Sequence, residues 1–411
     1  SADGRTVLFR RGFDLSVLDV RTGELAGLEL HAASDSAAQA VENVQAARAV
    51  EVCFTPDGKQ VAFVAGNDLW TMDRVLKEPR RVTDNAHVEG SLAFSADGQR
   101  LLYTSDAAGE VDVWIARLAE DANGIWWLPE SGIELERITD DPEVESDLAL
   151  SPKGEHVAYL RGSDIFVMDD DGSDARRVVQ TWSGASFDWS PDGRWLTYAT
   201  QDDDYNSEVF VVPLDGTREP FNLSRHPDND YGPRWSTDGK RIAWVGRRDG
   251  EEADIHWIDL TNEAAEGTER DERLEEALKK MEPKGGKKNA LSEKGEGDAD
   301  EAEEGDAKEE EAAPEKDEDL VLIDFDGIHD RLRRFRNSDS FEGSLAWFDD
   351  DGSRLAFSAS VDGKSGYYSI GFPRPEDPKR IADSGLSAAR WHADAKEFTG
   401  HSRGVPASQS K

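Results

Sequence analysis

The chain has little cysteine and little basic charge, and each shortage narrows what the protein can be. Cys53 is the one cysteine in 411 residues, so no disulfide can form within the chain. No run approaches the roughly 18 apolar residues of a membrane-spanning helix, so we expect no membrane insertion. Lysine and arginine number 48 against 87 aspartate and glutamate, a formal net charge of −39. Such an excess of negative charge argues against nucleic acid as a partner.

Recognisable catalytic patterns are also missing. The eight histidines are scattered, and none stands near a second histidine or a cysteine at the spacing of a metal site. We find no GxSxG nucleophile elbow and no glycine-rich phosphate loop. The acidic turn after Asp169 is similar to a calcium loop, but Gln180 stands where the closing glutamate belongs. The sequence therefore predicts no catalytic residue, no metal and no cofactor.

What the chain has in abundance is a repeat. A short apolar segment ends in a Pro-Asp-Gly or similar turn and restarts as a strand, as in WSPDGRWLTYA from Trp189. Most turn glycines recur at intervals of roughly 40 to 55 residues, the size of a propeller blade. Residues 147–180 show four short strands bounded by turn residues. The sequence predicts an all-β fold, a β-propeller of seven four-stranded blades.

Domain boundaries follow from this repeat. Blades are predicted for residues 1–260 and 320–400, with residues 388–394 closing the ring as the inner strand beside residues 6–11. Residues 261–319 form an acidic insertion, predicted to be mostly disordered because it has almost no apolar residues beyond a short helix at 270–281. Residues 401–411 are predicted to be a linker.

Candidate binding residues lie on the inner strands and on the connections between blades. On each inner strand the residue before the bulky anchor faces the axis, and it is small except at Asp188, Arg234 and Arg390. Buried alone these charges would be costly, so they either pair or line water. The connections supply a second set of candidates: Glu143, Glu145, His226, Asp228, Asp230 and Glu342. Acids at the mouth would concentrate cationic peptides, although ordinary solvated turns remain an alternative.

The repeat resembles the WD40-like repeats of TolB and of tricorn-type serine peptidases. The likeness to the tricorn group is carried by the Lys/Glu-rich insertion and by three segments: SRHPDNDYGPRWSTDGKRIAWVGRR from Ser224, LVLIDFDGIHDRLRRF from Leu320 and GVPAS from Gly404. In that family a seven-bladed propeller precedes a PDZ module and a catalytic region that carries the Ser and His. No catalytic residue of the family falls on this chain.

The resemblance implies a non-catalytic propeller that acts as an entrance filter for unfolded or extended peptides and as an assembly surface for the PDZ and catalytic regions. It favours a cytoplasmic location over a periplasmic one, and it leaves homo-oligomer formation open. A TolB-like protein-binding propeller is the first alternative. A stand-alone propeller hydrolase, such as a lactonase or a glycosidase, is the second.

Overall fold

The structure is a computed structural model that describes residues 4–11, 14–28, 49–119, 122, 124–249, 252–266, 320–336, 343–349, 351–383, 386–392, 396–402 and 405–410. Most of the predicted insertion, including the expected helix at 270–281, lies outside these residues, as does Glu342. Among the described residues, no helix is long and apolar enough to cross a membrane.

The described residues form eight antiparallel sheets, in each of which hydrogen-bonded neighbours are consecutive in sequence. Six sheets have four strands, and we number them blades 1 to 6. Blade 1 comprises β4 (Glu51–Phe54), β5 (Gln60–Ala65), β6 (Asp68–Asp73) and β7 (Pro79–Arg81). Blade 2 comprises β8 (Glu89–Phe94), β9 (Arg100–Ser105), β10 (Asp112–Leu118) and β11 (Ile133–Arg137). Blade 3 comprises β12 (Glu145–Leu150), β13 (His156–Arg161), β14 (Asp164–Asp169) and β15 (Arg176–Val179).

The other three four-stranded blades follow the same order. Blade 4 comprises β16 (Ser186–Trp189), β17 (Trp195–Gln201), β18 (Ser207–Pro213) and β19 (Phe221–Asn222). Blade 5 comprises β20 (Asp230–Trp235), β21 (Arg241–Asp249), β22 (Glu252–Asp259) and β23 (Leu332–Phe335); between β22 and β23 stand α1 (Asn262–Glu266) and a 3-10 turn (Ile328–Arg331). Blade 6 comprises β24 (Gly343–Phe348), β25 (Arg354–Val361), β26 (Lys364–Gly371) and β27 (Lys379–Ala382).

Two three-stranded sheets complete the described residues. Blade 7 comprises β28 (Ser387–His392), β29 (Glu397–Ser402) and β30 (Val405–Ser410). The N-terminal sheet comprises β1 (Thr6–Arg11), β2 (Asp14–Asp19) and β3 (Leu25–Leu28). The prediction of an all-β propeller is confirmed.

The predicted ring closure is wrong. Strand β28 pairs with β29 and not with β1, and residues 405–410 form a strand of blade 7 instead of a linker. Blade 7 closes on blade 1: β29 contacts β4, and Glu397 forms an ion pair with Arg74. Local hairpins close short loops, whereas pairing β28 with β1 would have joined the two ends of the chain. The ring thus has seven blades, and the N-terminal sheet is not one of them.

At residues 320–335, where the predicted blades resume, the observed strand is short. Only Leu332–Phe335 pairs with β22. Before it, Val321, Ile323 and Phe325 pack on the apolar cluster shared by blades 4 and 5. Their alternation comes from packing on that cluster, which is why the sequence pattern was typical of a strand.

Apolar clusters lie between blades rather than within them. Ala62, Leu69, Phe94 and Tyr103 belong to one cluster of blades 1 and 2, and equivalent clusters join each following pair up to blades 6 and 7. Burial of this apolar surface is the main force that holds the blades side by side.

The turn between the first two strands of a blade is organised by one hydroxyl group. In blade 4, Ser190 Oγ donates to Asp192 Oδ1 at 2.5 Å and accepts the Trp195 N–H at 2.9 Å. Blades 1, 2 and 5 repeat both contacts with Thr55, Ser95 and Ser236. The turn glycine has a positive φ, 74° at Gly193, which explains the recurring Asp-Gly in the sequence.

We expect Ser190→Ala to lower the free energy of unfolding by about 1–3 kcal/mol, because Ser190 is fully buried and its loss removes the acceptor of the Trp195 N–H and one donor to Asp192. Thr217→Ala is the matched control, since its hydroxyl donates to Asp215 at 2.7 Å in an exposed turn. Its cost should stay within about 0.5 kcal/mol. Denaturant titration measures both, and equal losses would contradict the role of the buried hydroxyl.

Candidate binding site at the propeller axis

One residue from the inner strand of each blade forms a ring around the axis. It stands directly before the bulky anchor of the strand, and we call the set the axis ring: Cys53, Ala93, Ala149, Asp188, Arg234, Ala346 and Arg390. Blades 4 and 7 are not neighbours, yet Arg390 acts electrostatically on Asp188, and it also acts on Cys53 of blade 1. These side chains therefore lie near one another around the centre of the ring.

Asp188 is fixed by the neighbouring blade. Its Oδ2 accepts the Trp235 N–H at 2.9 Å, and its charge is partly balanced by Arg234 and then by Arg390. Burial raises the pKa of the Asp188 carboxyl, and the two guanidinium groups oppose that rise. The side chain nevertheless keeps some accessible surface. Asp188 is therefore a half-buried carboxylate held between blades 4 and 5, with two guanidinium groups near it.

The two arginines are less constrained than the aspartate. Arg234 donates to its neighbour Pro233 O at 2.9 Å. Arg390 is exposed and, in the part of the chain that the structure describes, makes no ion pair. With two guanidinium groups and one carboxylate, the axis ring is net positive within a protein of net charge −39.

Indole groups hold the frame around this ring. Trp189 Nε1 donates to Ala149 O at 3.0 Å, and Trp347 Nε1 donates to Arg234 O at 3.1 Å. Each bond runs from the anchor of one blade to the axis-ring residue of the preceding blade. The backbone of the axis ring is therefore tied from blade to blade.

A second ring lies two residues earlier on the inner strands of blades 1 to 6, where the channel opens. Most of these strands carry a bulge between this position and the axis ring. We call the set the mouth ring: Glu51, Ser91, Asp147, Ser186, Gly232 and Ser344. Neighbouring members touch, since the Asp147 N–H donates to Ser91 Oγ at 3.0 Å. Burial and the charge of Asp147 raise the pKa of Glu51.

Glu51 and Asp147 are mouth residues that the sequence analysis missed. The bulge turns Asp147, with φ of 55°, toward the opening. Period-two alternation places that position on the same face as the axis ring, two residues away. The signal that could have found them is their fixed spacing before the anchors Phe54 and Leu150.

Two of the acids expected at the mouth are structural instead. Glu145 is 1% exposed and bonds to Arg161 at 3.0 Å and to the Val113 N–H at 3.0 Å. Asp230 is fully buried and pairs with Arg248 at 2.9 Å. Both carboxylates join strands of their own or a neighbouring blade and do not face the channel.

The remaining candidates lie on the connections before the inner strands. Glu143 is exposed, beside Gly162 of the β13–β14 turn. His226 is half-buried, and its N–H donates to Glu208 at 2.9 Å. Asp228 is half-buried and accepts the Asn229 N–H at 2.7 Å.

Blade 5 contains a buried pair of titratable groups beside this mouth. A Cβ added at Gly246 would lie 1.9 Å from Asp230 Oδ1 and 3.0 Å from His256 Nδ1, so glycine is required there. Burial raises the pKa of Asp230 to about 6, against the pull of Arg248. Burial lowers the pKa of His256 to about 3, and the cations Arg248 and Arg334 add to that effect. Within the described ranges, no group of His, Cys, Asp and Glu is placed to hold a metal ion.

Comparison with known proteins shows the same fold. No family model matches the chain. Dipeptidyl-peptidase 5 of Porphyromonas gingivalis is 23% identical over 268 residues, which are 51% of this chain and 39% of that protein. An uncharacterized protein of Agrobacterium fabrum is 24% identical over 165 residues, 35% of this chain and 52% of that protein. The chain thus spans less than two thirds of the curated relatives it matches.

Two solved structures share most of the chain's architecture. Tricorn protease covers 97% of this chain with a TM-score of 0.54 and 13% identity, and the match occupies 36% of the protease. Hydrazine synthase of Kuenenia stuttgartiensis covers 92% with a TM-score of 0.51 and 12% identity, over 99% of that chain. At such identity the similarity shows the fold alone, a propeller that proteins of different activity use.

The buried pair predicts opposite responses to acid. Between pH 3.8 and 6 the folded state binds more protons at Asp230 than the unfolded state, so this group stabilises the protein as the pH falls. Between pH 6.5 and 3 the folded state binds fewer at His256, so this group destabilises the protein as the pH falls. As the pH falls, we expect the Asp230→Asn variant to become less stable relative to the unmodified chain, and the His256→Gln variant to become more stable relative to it. Each relative change in unfolding free energy should be up to about 1.4 kcal/mol per pH unit.

Each variant is compared with the unmodified chain at pH 6.5, 5.5 and 4.5, so that the other carboxylates cancel in the difference. Unfolding free energies from denaturant titration give the slopes. For each variant, the difference in unfolding free energy from the unmodified chain is plotted against pH. Slopes of the same sign for the two variants would contradict the assignment of opposite pKa shifts.

Proposed function

We propose that this propeller binds extended peptide segments in its axial channel, as the non-catalytic entrance filter and assembly surface of a tricorn-like peptidase. The observation that carries the proposal is the axis ring, in which Asp188, Arg234 and Arg390 meet among small side chains. Seven inner strands surround the axis ring, and the central channel of a propeller suits an extended chain better than a folded one. Its charged groups match those of a peptide.

The order of charges along the channel supports a defined orientation of the peptide. Glu51 and Asp147 lie at the mouth, and the two arginines lie deeper. A peptide carboxylate is attracted to a guanidinium, which can bind it with two parallel hydrogen bonds. The peptide therefore places a carboxylate at the axis ring and a cationic group near the mouth. The expected preference for basic peptides then belongs to the mouth and not to the axis.

The similarity to tricorn protease and to a dipeptidyl-peptidase supports peptides as the ligand class, because both proteins act on peptides by name. The match occupies 36% of tricorn protease and 39% of the dipeptidyl-peptidase. A TolB-like propeller that binds a segment of a partner protein would use the same channel, and the ligand would then be one particular sequence.

Binding of labelled, unstructured peptides tests the proposal. By fluorescence anisotropy we expect a peptide with a free C-terminal carboxylate to bind the chain more tightly than its amidated form. Arg390→Ala should weaken the free-acid peptide roughly tenfold, the effect of losing one charged hydrogen bond. The amidated peptide should be little affected. Higher salt should weaken binding as the screening length falls from about 10 Å at 0.1 M to about 3 Å at 1 M.

The matched control is Arg176→Ala, which removes an exposed arginine from the outer strand β15. If Arg390→Ala and Arg176→Ala bind the free-acid peptide equally well, the axis ring is not where the peptide carboxylate binds. Hydrolysis of any peptide, ester or glycoside by the purified chain would overturn the non-catalytic role.

A further inference from the structure

Two large aromatic rings are exposed together on the face where the channel opens. Trp182 is 52% exposed and Tyr205 is 71% exposed. Their ring centroids lie 5.1 Å apart at an interplanar angle of 79°, an edge-to-face contact. An exposed aromatic pair of this size does not serve the core, and such patches mark interaction sites.

Trp182 is held in place by the residues on either side of it. The Thr181 N–H donates to Asp164 Oδ1 at 2.8 Å, and Ser183 Oγ accepts the Gln201 N–H at 3.2 Å. The indole therefore projects from a loop that is fixed to blades 3 and 4. A ring that is already fixed loses little conformational entropy when a ligand binds.

Tyr205 is held in a conformation that its side chain disfavours. Its φ is 65°, in the left-handed region that a bulky residue rarely adopts. Asp202 Oδ1 accepts the N–H groups of Asp204 and Asn206, both at 2.9 Å, and so keeps the β17–β18 turn in this shape. Glycine would fit the turn without strain, yet a tyrosine stands there. A bulky side chain in such a strained conformation points to a use for the ring.

Negative charge accompanies the rings. Asp203 and Asp204 directly precede Tyr205 and are exposed, and neither forms an ion pair with another described residue. A guanidinium can stack on an aromatic face while its N–H groups bond to carboxylates, which an ammonium does less well. Rings and carboxylates together fit the side chain of arginine.

The pair is also close to the channel. Trp182 precedes Ser186 of the mouth ring by four residues, a span of at most about 14 Å of chain. In antiparallel blades the β17–β18 turn lies on the same face as the start of β16. An extended peptide that leaves the mouth over blade 4 therefore passes over both rings.

We propose that Trp182, Tyr205, Asp203 and Asp204 form a docking site for an arginine side chain of an extended peptide. The site deepens the proposed function and rests on it, because the same peptide continues into the axial channel. The arginine contacts the outer face, and the carboxylate end contacts the axis ring.

The test uses amidated peptides, so that the axis contributes little. One peptide contains a single arginine, a second contains citrulline at that position, which has the same shape without the charge, and a third contains lysine. By anisotropy we expect the arginine peptide to bind about tenfold more tightly than the citrulline peptide, with lysine between them. Trp182→Ala should remove most of this difference. Val75→Ala, a residue 88% exposed elsewhere, is the control and should leave it unchanged.

Tyr205→Gly separates binding from stability. It removes the ring and relieves the backbone strain, so we expect weaker arginine binding without a lower melting temperature. Equal affinity for arginine and citrulline, or full binding by both Trp182→Ala and Tyr205→Gly, would overturn the docking site. In the second case, continued sensitivity of free-acid peptides to Arg390→Ala would leave the proposed function standing.

Discussion

The architecture depends on the hydroxyl at the turn between the first two strands of a blade, which forms the same pair of contacts in blades 1, 2, 4 and 5. One Ser or Thr oxygen donates to the aspartate two residues later and accepts the N–H five residues later, as Ser190 does with Asp192 and Trp195. These contacts fix where the inner strand ends and the second strand starts. The inner strand is thereby set in register, and its anchor is placed between blades. The axis ring stands one residue before that anchor, so the geometry of the channel follows from the turn.

Several buried acids are explained by pairing within the blades. The third strand begins with an acid that binds an arginine of the fourth, as in Asp68–Arg81 at 2.7 Å and Asp112–Arg137 at 2.9 Å. Asp164–Arg177 and Asp254–Arg334 repeat the pair. Buried carboxylates such as these need a partner, and removing either side would leave an uncompensated charge. Pairing does not explain the net charge, because 87 acids exceed 48 bases by 39. The ligand therefore has to be inferred from the charges placed at the mouth and the axis, not from the net charge.

The sequence was sufficient for whatever is local and repeated. The Asp-Gly turns, the anchors and the place of Asp188, Arg234 and Arg390 one residue before the anchors all follow from spacing. Ring closure does not follow from spacing, because any inner strand could pair with any free edge. The ion pair that joins blades 7 and 1, between Arg74 and Glu397, connects residues separated by most of the chain. Which acids are exposed at the mouth does not follow from spacing either. Bulges shift the pleat by one residue, which buries Glu145 and exposes Asp147.

Positive φ at residues other than glycine occurs on both faces of the propeller. At the turns between first and second strands the left-handed residue is glycine at Gly98 and Gly193, but Asp349 and Lys396 stand at such turns too. At the turns between second and third strands, glycine takes this conformation in blades 3 and 6, at Gly162 and Gly363, whereas in blade 4 it is Tyr205. What distinguishes Tyr205 is the combination of this conformation with a ring that is 71% exposed and in contact with Trp182. The face on which a ligand is to be sought is therefore identified by exposed side chains and their contacts, and backbone strain adds to that argument without carrying it.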